Sequence, residues 1–248
     1  MIERYLAAGF IVLAAILLLV YGILAHRKNA SPLRRLPQLQ ALELAHNLNL
    51  EQGNKLVYLA GGHLFGEQVT LNSLVSLPLL RKLTTQSVLS DRPPIVLSAD
   101  GQMDILSRMI LAGVYEDALV PNLLYKDYSH TTGGSRFSYL AGCLPELFWD
   151  HIGMLVMAGH FQPEMVLLAD LSARKDYFTF AGSDSIAAQA ALFTTTGHVL
   201  VGEEFFSLPL YGKNPHKTHA SLKTQDFLRV LIIVVVIVAS LLKLLGVF

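Results

Sequence analysis

From Tyr5 to Ala25 the chain reads YLAAGFIVLAAILLLVYGILA without a charge, and from Val230 to Val247 it reads VLIIVVVIVASLLKLLGV with Lys243 as its one charge. At about 1.5 Å per residue either run covers the roughly 30 Å hydrocarbon core of a bilayer, so the pattern predicts two transmembrane helices. Between them the pattern changes to short apolar runs that end in small residues and alternate with longer stretches of helix-like spacing. The runs are KLVYLAGG from Lys55, PIVLSADG from Pro94, RFSYLAGC from Arg136, MLVMAGHF from Met154, YFTFAGSD from Tyr177 and HVLVGEE from His198. Continuous apolar strands alternating with helices are what a parallel sheet covered on both faces requires. The expected class is therefore α/β, a doubly wound, mostly parallel sheet of about six strands over residues 38–212, flanked by the two spans.

The helical stretches differ in definition. Gln38–Leu50 places Leu39, Leu42, Ala45 and Leu48 near helical spacing. Gln102–Ala112 is amphipathic and predicts a stop at Gly113. Ser185–Thr194 is alanine-rich behind good capping residues. Pro78 should kink or restart the helix expected over Glu67–Leu83. Leu119–Gly134 lacks periodicity and reads as a long loop or an irregular crossover.

Composition agrees with the two apolar ends: 248 residues, 52% apolar, 15% charged, mean hydropathy +0.46. The 19 basic and 19 acidic residues cancel, but they are sorted. From Glu43 to Glu204 there are 9 basic against 17 acidic residues, whereas the linker 26–37 and the segment 213–229 are basic. An acidic body disfavours nucleic-acid binding. Arg27, Lys28, Arg34 and Arg35 follow the first span and Lys213, Lys217, Lys223 and Arg229 precede the second. Basic flanks resist translocation, which predicts an integral plasma-membrane protein in contact with the lipid bilayer, its domain cytoplasmic and its ends, residues 1–4 included, outside. The single cysteine, Cys143, excludes an intramolecular disulfide.

In open parallel sheets, ligands bind beyond the carboxyl ends of the strands. This places the candidates at Gly61, Gly62 and His63; Ser98 and Asp100; Gly142 and Cys143; Gly159 and His160; Gly182, Ser183 and Asp184; and Gly202, Glu203 and Glu204. Among them Gly61, Gly62, His63, Asp100, Gly182 and Ser183 form the expected ligand rim, because glycine turns expose amides and Ser183 adds a hydroxyl. The carboxylate of Asp100 beside an anion favours a nucleoside or sugar phosphate over free phosphate. GGHLFG matches neither dinucleotide nor P-loop spacing, and glycines that only turn strand into helix are the simpler account of it. A metal would have to join His63 or His160 to Asp100, Asp184 or Glu203, and no ligand-pair spacing supports one, so the expected metal is none. Cys143 carries no local sign of an activated thiol, and no G-x-S-x-G is present.

The segment LVGEEFFSLPLYGKNPHKTHASLKTQDFLRVLIIVVVIVASLL, with ELAHNLNLEQGNKLVYLAGGHLFG and FTFAGSDSIAAQAALF upstream, resembles an uncharacterised family of prokaryotic membrane proteins catalogued as a domain of unknown function. The resemblance runs from about Glu43 to the C-terminus and implies a membrane-tethered α/β domain, with no activity, cofactor or catalytic residue to transfer. His63 departs from it, since the family has a small or apolar residue after the glycine pair. Taken together, the expectation is a membrane-tethered module for ligand sensing or assembly without catalysis, as a homo-oligomer or with a small anionic ligand. The alternative is a tethered enzyme acting on a small anionic or phosphorylated substrate, its catalytic residues unknown.

Overall fold

A computed structural model describes residue 20 and residues 36–62, 71–119, 128–149, 151–211, 224–234 and 236–237. The chain divides into two units, one of Arg34–Lys213 and one of Met1–Leu33 with Asn214–Phe248.

In the first unit, helix α1 (Pro37–Glu51) leads into β1 (Lys55–Gly61). A 3₁₀ turn (Leu71–Ser76) and α2 (Leu77–Ser87) precede β2 (Ile95–Ser98), and α3 (Gly101–Asp117) precedes β3 (Ser129–Thr131). Helix α4 (Arg136–Leu147) then crosses to β4 (Ile152–Gly159). A 3₁₀ turn (Pro163–Met165), α5 (Val166–Arg174), β5 (Phe178–Ser183), α6 (Ile186–Phe193), β6 (Val199–Leu200) and a 3₁₀ segment (Gly202–Tyr211) complete it. The six strands are parallel in the order β3-β2-β1-β4-β5-β6, the doubly wound order of mononucleotide-binding halves.

Because β1 and β4 lie in the middle and are covered on both sides, they are apolar at nearly every position rather than at alternate ones. Alternate side chains feed two cores. Leu56, Tyr58, Met154 and Val156 pack under α1, α2 and α3 with Phe205 and Leu208, while Val57, Leu59, Leu155 and Met157 pack under α4, α5 and α6.

Several predicted elements are corrected by this architecture. RFSYLAGC is not the third strand: it is the first two turns of α4, started by Ser135, whose hydroxyl accepts from the Ser138 amide, and burying Tyr139, Leu140, Cys143 and Leu147 at helical spacing. The third strand is Ser129–Thr131, inside the stretch expected to be irregular. Three residues at a sheet edge are too few to leave a periodic signal. Helix α3 runs through Gly113 because Val114 and Tyr115 beyond it are buried. In α1 the buried stripe is Leu39, Leu42, His46 and Asn49, and Leu48 is exposed. Pro78 does restart the chain, standing in the first turn of α2 after the 3₁₀ turn.

The two-span membrane topology is likewise corrected. Among the described residues no helix is long and apolar enough to cross a membrane, so an integral plasma-membrane location with two spans is not supported. Residues 224–234 are helical but include Asp226 and Arg229, and 11 residues rise only about 16 Å. The remainder of the two predicted spans, residue 20 and residues 236–237 apart, lies outside the described residues.

Candidate functional site

The two central strands carry the topological switch: the chain leaves β1 toward β2 and leaves β4 toward β5, so the loops after them part and open a crevice. At this point the strands end in glycine on both sides, Gly61 facing Gly159 in register. A Cβ on Gly61 would strike the Phe161 ring and the His160 carbonyl, and one on Gly159, which has φ +139°, would strike the Gly61 backbone. Glycine is thus required here for close approach.

Beside the switch lies a small cleft of about 60 Å³, several times the space one water needs. Gly62 and Ala99 bring the exits of β1 and β2 to it, and His160, Phe161, Gln162, Glu164 and Met165 come from the segment after β4. The fourth contribution is Gly133, Ser135, Arg136 and Tyr139 from the start of α4. Tyr139 and Phe161 stack with ring centroids 6.4 Å apart. The Tyr139 hydroxyl is spent beneath, donating to the Leu97 carbonyl at 2.9 Å, and burial raises its pKa well above the usual phenol value. Arg136 is exposed at the first residue of α4, where the helix dipole also favours negative charge.

His160 links this cleft to a polar chain that runs from the half-buried Asp184 to the exposed Asn72. Its Nδ1 lies 2.7 Å from Asp184 Oδ1, and Asn72 Nδ2 donates to Asp184 Oδ2 at 2.9 Å. On the far side of the ring, Gln162 Nε2 is 3.1 Å from His160 Nε2. Burial pushes the Asp184 carboxyl up, but the hydrogen bonds from His160 and Asn72 outweigh it and the net shift is downward, so Asp184 is a carboxylate. The His160 backbone is fixed too, its amide donating to Ser73 Oγ at 3.2 Å.

The predicted rim residues are distributed unequally. Gly62 lines the cleft. Gly61 lies directly behind it under Phe161. Asp100 caps α3, accepting from the Met103 amide at 2.8 Å. Ser183 is buried, and its hydroxyl oxygen accepts from the amides of Phe161 and Ser185, both at 3.2 Å. Gly182 is buried against Phe205 and Leu200. His63 lies outside the described residues. Gly142 and Cys143 are inside α4 rather than at a strand exit, and burial raises the Cys143 thiol to about 12. Glu203 is exposed, and Glu204 Oε2 accepts from the Val201 amide at 3.4 Å. Among the described residues no group of three metal-ligating side chains exists, and His160 and Asp184 meet directly instead.

The polar contributors not anticipated include Asn72, Ser135, Arg136 and Gln162. GGSR at Gly133–Arg136 held the available signal for two of them, a glycine turn followed by a capping serine, once the following residues are read as a helix.

The model of a family described as "Domain of unknown function (DUF6754)" matches residues 2–248. No curated protein and no solved structure matches the chain.

Proposed function

We propose, for a chain that belongs to this family of unknown function, that the α/β unit is a binding module for a small phosphate-bearing anion, seated in the cleft beside the β1–β4 switch. The observation that carries this reading is the convergence of Arg136 and the start of α4 on the same cleft as Gly62 and His160. The cleft holds a single head group, so the rest of a nucleotide or sugar phosphate would extend beyond it. Glu164 on the same wall disfavours a highly charged anion and favours one that also offers hydroxyl donors.

A thermal-shift screen of the full chain with inorganic phosphate, adenosine diphosphate and glucose 6-phosphate tests the reading. A ligand at 100 times its Kd stabilises by about 2.7 kcal/mol, and the shift should vanish in Arg136→Ala and in Gly62→Val. No shift with any of the three, or a shift indifferent to both substitutions, overturns it.

A further inference from the structure

The hydrogen-bond partners of His160 decide which of its nitrogens carries the proton. A carboxylate can only accept, so Nδ1 is the donor in the 2.7 Å contact to Asp184 Oδ1. An amide nitrogen can only donate, so Nε2 presents its lone pair to Gln162 Nε2 at 3.1 Å. Asp184 is itself oriented, since its second oxygen accepts from Asn72. Three elements thus meet in the His160–Asp184 pair: the exit of β4 supplies the imidazole, the exit of β5 the carboxylate, and the 3₁₀ turn before α2 the Asn72 amide that holds the carboxylate. The His160 side chain is 22% exposed and that of Asp184 only 12%, so the carboxylate is sheltered while the ring reaches the cleft. An uncharged ring nitrogen beside a ligand cleft, with an ionised acid holding the opposite nitrogen, is the arrangement of a general base.

We infer that His160 is a catalytic general base, with Asp184 and Asn72 as positioning residues, and that the unit hydrolyses a small phosphate ester. The inference rests on the cleft being the anion seat proposed above, with Arg136 holding the phosphoryl oxygens. His160 Nε2 takes a proton from a water that displaces the Gln162 amide. The water oxygen attacks phosphorus, and the bond from phosphorus to the ester oxygen breaks. The leaving oxygen, on the far side of phosphorus from the attacking water, takes a proton from solvent and departs as an alcohol, and Nε2 returns its proton to solvent, which restores the neutral imidazole. Ester and water become alcohol and phosphate, and nothing is oxidised or reduced. Asp184 stabilises the imidazolium while it lasts and stays ionised.

The full chain is assayed with p-nitrophenyl phosphate and bis(p-nitrophenyl) phosphate across pH, and ¹⁵N spectra of the histidine side chains report the tautomer of His160. Release of p-nitrophenolate that falls about 10²- to 10⁴-fold in His160→Gln is expected, with an acid limb in the wild-type profile that this variant lacks. Asp184→Asn should lower kcat with KM little changed and shift the His160 ring away from the Nδ1–H form. No release above the His160→Gln background at any pH, or an Nε2–H tautomer in the wild type, overturns the inference. A phosphate-dependent thermal shift that survives without turnover removes the catalysis and leaves the binding reading standing. Loss of the shift removes both.

Discussion

Gly159 faces Gly61 across the two central strands with φ +139°, so that a methyl group on Gly159 would enter the Gly61 backbone. Gly159→Ala combines an unfavourable dihedral with a backbone clash and should destabilise by about 2–4 kcal/mol. Chemical denaturation checks this, and unchanged stability would show that β1 and β4 can separate at their ends without loss.

His46 is buried in α1 with Nε2 3.2 Å from Ser87 Oγ, and burial lowers its pKa to about 4. Between about pH 6.5 and pH 4 the unfolded imidazole binds a proton that the folded one refuses, so stability is full above that window and falls as pH drops through it. The loss should approach about 3 kcal/mol near pH 4. His46→Leu should flatten that part of the stability profile, and an equal slope in the variant would assign the loss to other groups.

Asp104 ties the edge strand to α3. Its Oδ1 accepts from Ser129 Oγ at 2.6 Å and its Oδ2 from Arg108 Nε at 3.0 Å, while Arg108 Nη2 donates to the Ser129 carbonyl at 2.6 Å. Asp104→Ala leaves the buried Ser129 hydroxyl without this acceptor and should cost about 2 kcal/mol. Hydrogen exchange should also quicken at Ser129–Thr131 before it does at β1 or β4, and uniform quickening would contradict the local role.

Cys143, buried and with its thiol raised to about 12, should not react with an aromatic disulfide reagent in the native chain and should give one thiol per chain in denaturant. Prompt native labelling would mean that α4 opens from the sheet readily.

Strands that are long and covered on both faces were legible in the sequence, because Lys55–Gly61, Ile152–Gly159 and Phe178–Ser183 are near-continuous apolar runs ended by small residues. The third strand was not, since Ser129–Thr131 has one buried residue and no periodicity. RFSYLAGC imitated a strand with its apolar and small residues, and only Ser135 before it and Leu147 beyond it distinguish a helix. Glycines at the strand exits pointed to the right edge of the sheet. They could not show that Ser183 spends its hydroxyl on amides, or that His160 meets an aspartate after the next strand and an asparagine from before α2. Those pairings follow from strand order, which local pattern does not encode.

That order also bears on how the chain reaches its native state. Strand β1 cannot gain its β4 neighbour until the crossover through α4 has been laid down, so the central ladder joins segments far apart in sequence. Closing so large a loop costs entropy before any pairing is gained, and domains dominated by such contacts fold slowly. The β1–β2–β3 half therefore has an interval in which the apolar edge of β1 is open, and a second copy offering its own β1 or β4 could occupy it. Exchange of strands between chains during refolding at high concentration is the characteristic error this topology invites.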